Sequence, residues 1–207
     1  MALINGHGVI CCDRNRRGGL KRIFLMDKDA LGVVAHASAT NMYTSFMTTA
    51  LYEFQFDRAT GGFDAAGSRE NGSTVVSVQL NFYIPKVTPK VNKTLDMLAG
   101  SCGLIAVVET YADDCGTPAL GAVPAVPAAT YHFVLGYDEI FQGNAYLDFV
   151  SGEETTGVAL QDANGAQVAL GGEAAMYPIG LLVGTGGVMF TQTTAGVEFA
   201  WEIKAHA

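Results

Sequence analysis

The sequence predicts a mainly β fold: a β-sandwich or barrel with one flanking α-helix, at about residues 89–99, and a long β-hairpin, at about 46–84. Three observations predict it. Two stretches, 46–56 and 74–84, alternate apolar and polar residues with a period of two. A single stretch, 86–99, carries helical spacing with recognisable end signals. The remainder is cut by Gly, Pro and Asn-Gly into short apolar runs, about ten in all, as a two-layer or closed β architecture requires.

Leu20–Asp27 (LKRIFLMD) reads as the first strand, entered through Gly18-Gly19, and Val33–Ser38 as the second. In Phe46–Phe56, Tyr52, Phe54 and Phe56 fall on one side while Glu53 and Gln55 fall on the other. In Thr74–Ile84, Val76, Val78, Leu80, Phe82 and Ile84 share a side, opposite Ser77, Gln79 and Asn81. The polar, glycine-rich segment Asp57–Ser73 lies between them and ends in the turn signal Asn71-Gly72, so it reads as the tip of one long hairpin.

Thr88 stands where an N-cap is wanted and Pro89 at the first helical position, where its missing N–H costs nothing. Val91, Leu95 and Leu98 then form one helical stripe. Gly100 fits a C′ position that takes a positive φ. Leu104–Val108 (LIAVV) follows as a strand apolar on both faces, and Asp113–Thr130, rich in Ala and Pro, as an extended loop. Tyr131–Tyr137, Ala145–Val150, Val168–Leu170 and Ala174–Tyr177 are further strands, with a turn ending at Gly165. Val197, Phe199, Trp201 and Ile203 alternate with Glu198, Ala200, Glu202 and Lys204 in a closing hairpin. The whole is expected to be a single domain over 1–207, with an N-terminal basic arm at 1–19 and the C-terminal β-hairpin at 180–207.

Charged residues make up only 15% of the chain, against roughly 25% in an average soluble domain. Mean hydropathy is +0.24, yet no apolar run approaches the roughly 18 residues of a membrane span, so no membrane insertion is expected. An apolar chain without a spanning helix implies a surface covered by neighbouring copies. The net charge of −8 is unevenly spread: residues 1–93 hold 11 Lys/Arg against 7 Asp/Glu, and residues 94–207 hold 1 against 13. Arg14, Arg16, Arg17, Lys21 and Arg22 cluster near the start. They read as a solvated basic loop or as an arm meeting an acidic surface on another copy. With no aromatics beside them in an acidic domain, they make a poor nucleic-acid site.

The four cysteines, Cys11, Cys12, Cys102 and Cys115, form no metal-ligand spacing and read as reduced thiols. His7, His36, His132 and His206 are scattered, and no Ser sits in a nucleophile elbow. Gly184-Thr185-Gly186-Gly187 lacks the Lys-Ser/Thr of a phosphate loop. Asp162 and Asn164 supply only part of a calcium loop. Adjacent carboxylates at Asp113-Asp114 and Glu153-Glu154 read as solvated loops. No catalytic residue, cofactor site or metal site is therefore assigned. A hydrolase reading would require at least two of Asp113, Asp114, Glu153, Glu154 and His132 to converge in a cleft.

The order of motifs resembles a known family. A basic, Cys-containing arm leads into Gly18–Ile23 (GGLKRI), then come the aromatic hairpin and the helix ending in LAGSCGLIAVVET. The segments YHFVLGYDEIFQGNAYLDFVSGEETTG (131–157) and DANGAQVALGGEAAMYP (162–178) follow. The pattern is similar to tail-tube-like structural proteins of tailed bacteriophages over most of residues 11–178, with Leu120–Ala129 as an insertion and the last hairpin unmatched. The resemblance implies a non-enzymatic virion subunit, assembled in the host cytoplasm and located in the tail. Such subunits form hexameric rings stacked into a tube that conducts DNA. Its partners would be copies of itself and other virion tail proteins, with DNA passing transiently. It also implies roles: Glu53, Gln55, Ser77, Gln79 and Asn81 as lumen-facing, and Arg14, Arg16, Arg17, Lys21, Arg22, Phe63 and Arg69 as ring-stacking or interface residues. A head–tail junction ring or tail terminator is the alternative within this class. A monomeric β-barrel that binds a ligand is the alternative outside it.

Overall fold

In the computed structural model, the residues described are 19–37, 42–48, 52–54, 56, 60–70, 72–114, 129–139, 145–157, 164–181, 188–194 and 197–202. The strands, in chain order, are β1 (Leu20–Asp27), β2 (Leu31–Ala37), β3 (Met42–Thr48), β4 (Tyr52–Phe54), β5 (Gly62–Glu70) and β6 (Ser73–Pro85). After helix α1 (Pro89–Ala99) come β7 (Leu104–Asp114), β8 (Ala129–Leu135), β9 (Asp148–Thr155), β10 (Gly165–Ala174), β11 (Ile179–Leu181), β12 (Val188–Thr194) and β13 (Val197–Glu202). A 3-10 turn at Lys28–Ala30 joins β1 to β2, capped by Asp27, whose carboxylate accepts from the Asp29 N–H at 2.9 Å.

These strands form two sheets. The larger runs β13-β12-β3-β11-β8-β7-β1-β4, with β2 also paired to β3; the smaller runs β5-β6-β10-β9. Pairing is antiparallel except where β11 and β12 meet β3 in parallel. β2 follows β3 along one edge, so β11 and β12 share the other, at Met42–Tyr43 and Phe46–Thr48.

The sheets pack across a common core rather than closing on each other, so the expected β-sandwich is present and the barrel is not. β1 contributes Leu20, Ile23 and Leu25, β6 contributes Val76, Val78, Leu80 and Phe82, and β10 adds Ala166, Val168 and Leu170. Leu95 and Leu98 of α1 close one side of it. A second cluster covers the other face of the larger sheet, with Phe24, Met26, Tyr43, Val134, Ile179 and Leu181. β7 feeds both: Leu104, Ala106 and Val108 enter the first, Ile105 and Val107 the second. The run LIAVV is thus apolar throughout because both its faces are buried.

The helix begins as its sequence predicts. The Thr88 hydroxyl accepts from the Val91 N–H at 3.2 Å, and Pro89 opens the first turn. Its end differs: Gly100 stays right-handed at φ −88°, and the chain reverses at Gly103, φ +127°. There a Cβ would press on the Tyr146 ring.

The long hairpin at 46–84 is not formed. β6 pairs instead with Gly62–Glu70, through the Asn71-Gly72 turn, while β3 and β4 belong to the other sheet. The segment expected as a polar tip is in its second half a strand, whose inner side (Phe63, Ala65) is apolar enough to pack on the core. Asp113 and Asp114, expected in a loop, extend β7 opposite Thr130 and Ala129. The strand expected at 168–170 is the middle of the longer β10, while of the one expected at 174–177 only Ala174 belongs to it, and the chain bends at 175–176. The closing hairpin is present as β12 and β13. No helix of the described residues is long and apolar enough to cross a membrane.

Candidate assembly surfaces

The smaller sheet has an inner face of aliphatic residues and an outer face built from the alternate positions of the same strands. Register places Ala66, Ser77 and Glu173 in one row, Asp64, Gln79, Gly171 and Asp148 in the next, and Gly62, Asn81, Ala169 and Ser151 beyond. Tyr83, Gln167 and Glu153 complete the series. The face is therefore mostly polar and acidic, with the exposed Val150 beside Gly171 as an apolar exception. Across all four strands Arg69 is the one basic residue, and it sits at the hairpin end opposite Thr74.

Of the five residues expected to line a lumen, Ser77, Gln79 and Asn81 lie on this face, the first two exposed and Asn81 half-buried. Glu53 does not join them. It stands opposite Phe24 on β1, so it belongs to the outer face of the larger sheet, on the far side of the sandwich. Phe54, its neighbour, turns inward and meets Phe82 edge-on at 6.0 Å between ring centroids. Gln55 lies outside the described residues.

Both edge strands of the smaller sheet are open among the described residues: β5 pairs only with β6, and β9 only with β10. β9 is exposed along almost its whole length, and its Val150 is 60% exposed. The short β4 likewise ends the larger sheet. Beside β4 a groove of about 740 Å³ opens between α1, β1 and the end of β6, floored by Leu25, Ile84, Val91 and Leu98. Tyr52 and Met97 stand on its rim, both more than half exposed, and Asp27, Glu53 and Lys90 supply its charges.

The expected interface residues are dispersed. Arg14, Arg16 and Arg17 lie outside the described residues. Phe63 turns inward, its ring 5.7 Å from that of Phe133, and so belongs to the core rather than to a stacking surface. Lys21 and Arg22 converge on Glu109, a carboxylate only 2% exposed: Lys21 Nζ lies 2.7 Å from Oε1 and Arg22 Nε 3.4 Å from Oε2. His132 Nε2 lies 3.9 Å from the same Oε2. The register explains the convergence, since Arg22, Glu109 and His132 are cross-strand neighbours on β1, β7 and β8. A β-bulge between Leu20 and Arg22 carries Lys21 to the same carboxylate.

Two further polar anchors escaped the sequence reading. Asp138, 1% exposed, accepts the N–H groups of Ala175 at 2.6 Å and Met176 at 3.1 Å, tying the β8 exit to the β10 exit. His36 Nδ1 lies 3.3 Å from Glu139 Oε2, and its ring packs on Tyr43. Burial, and then the charge of Glu139, push the Tyr43 phenol well above its ordinary range; the same two causes raise Tyr137. Lone carboxylates flanked by turns carry no sequence signal for such pairing, which only strand register reveals.

Glu153 and Glu154 do not converge with His132. Glu153 and Glu154 are exposed on β9, whereas His132 is buried in the other sheet. Among the described residues no group of three or more His, Cys, Asp or Glu could hold a metal ion. Cys102 is a free, exposed thiol. Comparison of the chain with protein families, curated proteins and solved structures gives no match.

Proposed function

We propose that this chain is a non-enzymatic structural subunit of a phage tail tube, assembling as stacked hexameric rings around a DNA-conducting lumen. The observation that carries the reading is the outer face of the smaller sheet. It presents Ser77, Gln79, Asn81, Gln167 and four carboxylates, Asp64, Asp148, Glu153 and Glu173, with no Lys or Arg among the described residues. Affinity for nucleic acid comes chiefly from cations that neutralise phosphate, so a duplex slides past such a wall without adhering.

The edges support the same reading. Four antiparallel strands alternate in direction, so the edge strands β5 and β9 run opposite ways. Pairing β9 of one copy with β5 of the next continues the antiparallel alternation across the contact. A head-to-tail contact of this kind closes into a ring when its rotation divides a full turn. The cation-free faces would then line one continuous inner wall.

Sedimentation velocity over a range of concentrations tests this. The wild-type chain is expected to pass from monomer to ring-sized species. Val150→Lys, which places a charge on the open edge β9, is expected to stay monomeric with an unchanged unfolding transition. A wild-type chain that remains monomeric throughout would overturn the proposal.

A further inference from the structure

The two ends of the sandwich are complementary. β6 is 13 residues long, about 40 Å at the usual strand rise, and the groove beside α1 lies at its Pro85 end. The β5–β6 turn lies at the other end. There Tyr177, 58% exposed, rests against Gly67 so closely that a Cβ on Gly67 would collide with its phenol. Arg69 is two residues on from Gly67 and shares its side of β5, so an aromatic and a cation stand together at this end. The groove offers the counterpart: an apolar floor of Leu25, Ile84 and Leu98, with Asp27, Glu53 and Lys90 as its charged groups among the described residues.

We infer that the groove between α1 and β4 receives the hairpin end of a second copy, with Tyr177 covering the apolar floor and Arg69 meeting Glu53 and Asp27. Because donor and acceptor surfaces sit at opposite ends of one molecule, the contact is heterologous and repeats along the strand direction. It depends on the ring-forming reading only in that the repeat then becomes the stacking of one ring on the next. It also gives Glu53 a use that its position outside the acidic face leaves open.

Full-length protein carrying the photo-crosslinker p-benzoylphenylalanine at Met97 tests the inference, with cross-linked peptides mapped by mass spectrometry and the same samples viewed by negative stain. The expected product joins position 97 of one copy to residues 66–75 or to Tyr177 of another. Adding Arg69→Glu should lower its yield several-fold, and adding Glu53→Lys to that variant should restore much of it. Cross-links to other segments, no intermolecular product, or a yield indifferent to Arg69→Glu would each overturn the inference. Rings or tubes on the grid without this product leave the tube reading standing and remove the inference. The product in open fibres without rings supports the inference and removes the tube. Unfolding transitions matching wild type establish that the variants retain the fold.

Discussion

At the scale of single residues, the decisive feature is a buried carboxylate serving two cations. Glu109 is almost fully enclosed, while Lys21 and Arg22 keep part of their side chains in water. Removing the carboxylate leaves two positive groups against an apolar sheet face, whereas removing one cation leaves the other in place. Glu109→Gln is therefore expected to cost about 2–3 kcal/mol, and Lys21→Met less than about 1 kcal/mol. Urea midpoints of the two variants check the difference. Alkaline pH probes the pair Tyr43 and Tyr137, whose rings meet edge-on. The unfolded chain releases tyrosine protons near the ordinary pKa of 10.0, while the folded chain holds those of Tyr43 and Tyr137 to higher pH. The two phenols thus leave stability unchanged below about pH 10 and lower it as the pH rises beyond, because the unfolded state then binds fewer protons. Urea midpoints on either side of that pH should show the loss, and Tyr43→Phe should reduce it.

At the scale of elements, helix α1 and strands β6 and β7 were legible because each obeys a local rule. The cap at Thr88 and the stripe Val91, Leu95, Leu98 specify α1 without reference to anything distant. The Thr88 hydroxyl satisfies one orphan N–H, so Thr88→Ala is expected to lower stability by about 1 kcal/mol, read from the thermal or urea transition. The alternation of β6 matches its burial, with Val76, Val78, Leu80 and Phe82 all enclosed. What the sequence did not reveal was partnership. Two period-two strands close together in the chain suggested a hairpin, yet β4 pairs with β1 and β6 with Gly62–Glu70. Tertiary packing of Phe63 and Ala65 outweighed the weak strand propensity of a segment rich in Gly and Asp. The Lys21–Arg22–Glu109 site was hidden for the same reason, since its parts come from strands 88 residues apart.

At the scale of the whole molecule, low charge content and open edges have one physical cause if copies share their surfaces. A monomer in which β5 and β9 each keep one edge open among the described residues, with Val150 exposed on β9 and an apolar groove beside α1, carries the features that sheet proteins usually protect from self-association. Burying them between copies converts a liability into the driving force of assembly. In the proposed ring the acidic outer face of the smaller sheet would stay uncovered and form the inner surface.

Negative-stain electron microscopy of the purified wild-type chain across a range of concentrations tests this most directly. The account predicts hollow rings of uniform diameter, lengthening into tubes as concentration rises. Dispersed single particles of monomer size at the highest concentration would contradict it.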